Sequence, residues 1–125
     1  MADTKKILVV EDDLPLLNAL HEKLSSAGLT VVDAKNGEEG LATALSGHPD
    51  LIILDILMPK MDGLEMLKKM REDAWGKQVP VMILTNLSDD GSIAHQMTEE
   101  TFDYIIKSDI KIEAVVEKVK AKLGV

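Results

Sequence analysis

Cysteine is absent from the 125 residues, which excludes disulfides, thiol nucleophiles and thiolate metal ligands and fits a reducing cytoplasm. Aromatic residues make up only 2%, one each of Trp, Tyr and Phe, so stacking on nucleic-acid bases has almost nothing to use. Basic residues are outnumbered, with 14 Lys+Arg against 22 Asp+Glu and a formal charge of -8. With no dense basic cluster, direct nucleic-acid binding is disfavoured. Met1 to Lys6 is short and charged, and only Ile7 to Val10 is apolar behind it. That is not a secretory leader, so the expected location is the cytoplasm, with no membrane partner.

What is present is ordinary globular usage, 46% apolar and 29% charged residues, which removes the disordered and membrane classes. The length suits one domain with a real core. Residues 1–125 are expected to form that single domain, with no separate output domain.

Short apolar runs alternate with helical periodicity along the chain. Lys5 to Val10 is a strand that stops abruptly at Glu11-Asp12-Asp13. Leu17, Leu20, Leu24 and Ala27 follow at helical spacing, with Pro15 in the first turn and Gly28 as a left-handed stop. Leu29 to Val32 is a second strand, Asn36-Gly37 a turn, and Glu38 to Leu45 a helix ended by Gly47 and Pro49. Leu51 to Leu54 is apolar without alternation, as a central strand buried on both faces requires, and it breaks at Asp55. The loop Met58 to Gly63 leads to a helix marked by Leu64, Leu67 and Met70, which ends near Trp75-Gly76. Val79 to Leu84 is a fourth strand, with Pro80 near its start and Thr85-Asn86 at its end. Ile93, Ala94 and Met97 are a thin stripe for a fourth helix, and Tyr104 to Ile106 is a fifth strand ending at Lys107. Asp109 is a cap for a last helix with Ile112, Val115, Val116, Val119 and Leu123 on one face.

Such alternation calls for a parallel α/β sheet covered by helices on both faces, with ligands at the carboxyl ends of the strands. The polar groups met first at those ends are Glu11 and Asp12, then Asp55, Thr85 and Lys107. Three carboxylates brought together repel one another unless a cation joins them, and an all-oxygen set without His or Cys favours Mg²⁺. Phosphate suits the remaining groups, since Lys107 gives a point charge and Thr85 a hydroxyl donor. A carboxylate between metal and lysine can act as a nucleophile and become an acyl phosphate.

The acidic pair Glu11-Asp12, Asp55 followed by Met58-Pro59 and Met61-Asp62-Gly63, Thr85 at the end of strand four and Tyr104 ahead of Lys107 resemble the receiver domain of response regulators. The resemblance runs from Lys5 to Leu123. It implies a flavodoxin-like, doubly wound, five-stranded parallel sheet of order 2-1-3-4-5 with five helices in three α/β/α layers. It also implies a phosphoacceptor at Asp55, Mg²⁺ bound by Glu11, Asp12, Asp55 and the carbonyl of Leu57, Lys107 paired with the phosphoryl group, and switch residues Thr85 and Tyr104. Implied partners are a sensor histidine kinase or histidine phosphotransfer protein and a downstream protein target. The target would be met on the face formed by the fourth helix, fifth strand and last helix.

The sequence departs from that pattern at Ser108, where the family commonly has proline. A cis peptide before serine costs about 3 kcal/mol, which argues against the usual loop geometry. Asn86 is larger than the small residue usual after the threonine, and Glu100 to Asp103 lack the glycine usual before strand five. Leu57 and Leu87 are expected to shield the acyl phosphate from water. Taken singly, Asp55 reads as readily as a turn or helix cap, Lys107 as a solvated lysine and Tyr104 as a half-buried aromatic. Asp13 and Asp62 read as caps or turn residues, Met58, Met61, Met66 and Met70 as packing, and His21, His48 and His95 as surface residues. A phosphatase enzyme would want a general acid at position 57, where leucine stands, so turnover is not expected. A flavin-binding protein would want neutral donors where Glu11-Asp12-Asp13 stand. A phosphorylation-silent scaffold is the remaining alternative.

Overall fold

Residues 4–55, 63–85, 103–106 and 111–125 are described by the computed structural model. Side chains of the first strand, β1 (Lys6–Val10), alternate between two cores. Leu8 and Val10 join a cluster with Ala44, Met66, Leu67 and Met70. Ile7 and Val9 join one with Leu17, Leu20, Leu24, Val115 and Val119. A strand buried on both faces is the mark of a central strand in a two-sided sheet.

The other strands are β2 (Thr30–Ala34), β3 (Leu51–Asp55), β4 (Val81–Thr85) and β5 (Asp103–Ile106). All pair in parallel, in the order β2-β1-β3-β4-β5. Helices α2 (Gly37–Gly47) and α3 (Gly63–Arg71) supply Ala44, Met66, Leu67 and Met70 to one core, whereas α1 (Leu14–Ser26) and α4 (Ile112–Leu123) supply Leu17, Leu20, Leu24, Val115 and Val119 to the other. The result is the expected α/β/α sandwich with the expected strand order. The fourth helical pattern, Ile93 to Met97, lies outside the described residues, so α4 is the last of the five patterns.

Local chemistry explains the ends of these elements. After α1, Gly28 adopts φ +93 and donates to Ser25 O, and Leu29 donates to Leu24 O. Those two bonds form a Schellman stop, and Leu24 and Leu29 pack in the same core behind it. Leu29 therefore closes α1, and β2 begins at Thr30 and runs to Ala34, later than the apolar run suggests. Asn36 is the N-cap of α2 rather than only a turn residue. Its side chain accepts from Glu39 N at 2.9 Å, and Glu39 Oε1 reaches back to Lys35 N. The left-handed residue that ends α2 is His48, φ 46, not Gly47. The ladder of β4 starts at Val81, and Pro80, which has no N–H to give, accepts from Ile52 N through its carbonyl. Among the described residues no helix is long and apolar enough to cross a membrane.

Candidate metal centre

The register of the two central strands brings the acids together. Val10 pairs with Leu54 across β1 and β3. One residue further on, Glu11 and Asp55 stand on neighbouring segments roughly 5 Å apart, the spacing between strands. Glu11 continues the ladder on its other side, donating its N–H to Ala34 O at 3.0 Å. Glu11, Asp12 and Asp55 each offer a carboxylate oxygen, and these oxygens all lie within 4.8 Å of one another. Glu11 is 0% and Asp55 2% exposed, while Asp12 faces solvent.

Burying carboxylates side by side costs free energy through desolvation and mutual repulsion, and a divalent cation offsets both. The donors are all hard oxygens with no imidazole or thiolate among them, and the exposed Asp12 side leaves the site open to water. Mg²⁺ suits such a set, because it keeps several waters alongside one or two carboxylates. The donor chemistry thus fits the ion that the sequence suggests.

The remaining expected residues are placed only in part. Asp55 pairs with Leu84, so Thr85, the last residue of β4, follows at the same rim. Thr85 pairs with Ile106, and Tyr104 pairs with Ile83 inside the sheet. Leu57, Lys107, Asn86, Leu87 and Ser108 lie outside the described residues, as do Met58, Met61, Asp62, His95 and Asp109. Of the two aspartates read as caps, Asp13 does hold the N-cap position of α1, but its side chain makes no capping hydrogen bond. Its backbone N–H instead donates to Glu11 Oε2 at 3.0 Å. No side-chain pattern announces that contact, because any residue but proline carries the donor.

His21 bonds Asp33 through Nδ1 at 2.9 Å and is partly exposed. His48 is exposed, as expected, but it stacks on Trp75 with ring centroids 4.5 Å apart. Neither belongs to the cluster of Glu11, Asp12 and Asp55.

Residues 7–120 match the family model of the response regulator receiver domain. The chain belongs to that family. Among curated relatives it is 35% identical over 118 residues to the transcriptional regulatory protein ResD of Bacillus subtilis, covering 94% of this chain and 48% of that protein. It is 32% identical over 118 residues to the transcriptional regulatory protein AfsQ1 of Streptomyces coelicolor, covering 90% and 51%. The chain therefore spans about half the length of these relatives. Among solved structures it superposes on the chemotaxis protein CheY4 of Vibrio cholerae with a TM-score of 0.85 at 26% identity, covering 95% of this chain and 98% of that one. A two-component response regulator from Clostridium difficile gives 0.83 at 31%, covering 96% of each. Receivers are signalling modules, and the acidic pocket of this one is the cluster of Glu11, Asp12 and Asp55.

Proposed function

We propose that this receiver is a phosphorylation switch whose acceptor is Asp55. The observation that carries the proposal is the convergence of three carboxylates on the carboxyl rim of β1 and β3, where one of them can be a nucleophile while the others hold a cation. An oxygen of Asp55 attacks the phosphorus of the donor and forms an acyl phosphate. The bond from phosphorus to a donor histidine nitrogen breaks, its electron pair stays on the imidazole, and the ring takes up a proton. Glu11, Asp12, Asp55 and the carbonyl of Leu57 would hold Mg²⁺, which when bound neutralises charge on the phosphoryl oxygens. Lys107 would pair with the transferred group. Thr85 and Tyr104 would carry the change to the face that a downstream protein reads.

The donor is a sensor histidine kinase or histidine phosphotransfer protein, and the cytoplasm is where these would meet. Phosphorylation and its loss at Asp55 are the only chemistry proposed, without turnover. Relatives named as transcriptional regulators are about twice as long as this chain. The expectation of no nucleic-acid contact draws no support from them and is proposed for these 125 residues alone. Intact mass after incubation with a small phosphodonor tests the reading. One phosphoryl mass is expected with Mg²⁺ and none with a chelator; a gain indifferent to the chelator contradicts it.

A further inference from the structure

We propose that the backbone N–H of Asp13 is a positioning group of the acidic site, helping to hold the Glu11 carboxylate where Glu11, Asp12 and Asp55 can share one cation. The inference rests on the Mg²⁺ reading above.

Glutamate is the longest of the acidic side chains, and a ligand on so flexible a stem binds poorly unless something fixes its orientation. Among the described residues, two hydrogen bonds hold Glu11. Its N–H is tied to Ala34 O at 3.0 Å, which locks its backbone to the edge of β2. Its Oε2 accepts the Asp13 N–H at 3.0 Å, so the carboxylate folds back over the turn and lies beside Asp12. A hydrogen bond to an ionised oxygen is among the stronger ones. The donor is itself anchored, because the Asp13 carbonyl accepts Leu17 N–H at 2.9 Å and so joins the first turn of α1.

The Asp13 side chain has no part in this. It is exposed, makes no capping bond and is not one of the three clustered acids. The backbone of residue 13 is at φ -79 and ψ 102, a φ that proline adopts without strain. Asp13→Pro therefore deletes the donor, and Asp13→Ala keeps it. Both variants lose the same charge, so charge drops out of their difference.

The test is Mg²⁺ titration by calorimetry of the full chain. Asp13→Pro is expected to bind about ten- to a hundredfold more weakly than Asp13→Ala; equal affinities overturn the proposal. Because proline also restricts Asp12, a second measurement uses no substitution at Asp13 and no metal. The Asp13 amide should exchange slowly with deuterium in the metal-free wild type and lose that protection in Glu11→Ala. Unchanged exchange in Glu11→Ala overturns the proposal even if Asp13→Pro does not fold. Glu11→Ala in the same titration separates the two readings. If it binds Mg²⁺ as the wild type does, the site reading fails and takes this one with it. If it loses affinity while Asp13→Pro matches Asp13→Ala, only the positioning role is wrong.

Discussion

At the amino end of the sheet, Lys6 N–H donates to Asp50 Oδ2 and Asp50 N–H to Lys6 O, both at 2.8 Å, and Lys6 Nζ closes the end of α2 on Gly47 O at 3.0 Å. Arg71 spans the turn from α3 to β4 by donating to Gly76 O and Val79 O, and His48 stacks on Trp75. At the carboxyl end, Glu11, Asp12 and Asp55 crowd like charge into a pocket where two of them are almost dry. One end places donors on acceptors and closes the fold. The other holds groups whose best partner is a cation. Crowding like charge at such range costs free energy that a bound cation offsets, which is why the carboxyl end and not the amino end is the candidate site.

The comparison breaks most visibly at Gly76. A Cβ there would lie 1.9 Å from the Met70 carbonyl oxygen, a backbone atom that cannot swing aside. Gly76→Ala is expected to cost about 3 kcal/mol, the upper end of ordinary overpacking, in urea unfolding. Mg²⁺ affinity of the folded fraction should be unchanged, because the clash lies in the turn between α3 and β4 and not at the acids.

Mg²⁺ itself sharpens the contrast. At a hundred times its dissociation constant it should stabilise the wild type by about 2.7 kcal/mol, read as a rise in melting temperature. Glu11→Ala or Asp55→Asn should remove most of that rise, and Trp75→Phe at the other end none of it.

A smaller effect is expected beside the acceptor. Leu57→Asn should speed loss of the phosphoryl group after donor removal by roughly tenfold, about 1.4 kcal/mol of barrier, because an amide can orient water where leucine cannot. Equal decay rates would dispose of the shielding idea.

The smallest effect belongs to His48→Gly. Glycine relieves a left-handed residue at φ 46, a gain of about 1 kcal/mol, and forfeits an aromatic stack worth about the same. Stability within about 0.5 kcal/mol of wild type is expected, from the near-cancellation of those two terms; a larger loss would make the stack the stronger partner.

Much of this was legible because the sheet writes its centre in plain apolar runs. Ile7 to Val10 and Leu51 to Leu54 are continuous precisely where both faces are covered, so the acids that break them mark the rim. Gly28 was readable as a left-handed stop because few other residues adopt φ +93 cheaply. Leu29 was not readable as the closing contact of α1, because its partner, Leu24, is set by the Schellman geometry and not by strand alternation. His48 hid behind Gly47 for a related reason. His48 also stacks on Trp75, and no local pattern encodes a neighbour 27 positions away (75 − 48). The Asp13 donor is backbone and leaves no trace in residue type.

The central claim is that Asp55, among the clustered acids, takes the phosphoryl group. The most direct test is intact mass with residue mapping after incubation of wild type and Asp55→Asn with a small phosphodonor and Mg²⁺. One phosphoryl group is expected on the wild type, located at Asp55, and none on Asp55→Asn. No gain in the wild type, or an equal gain in both, would contradict it.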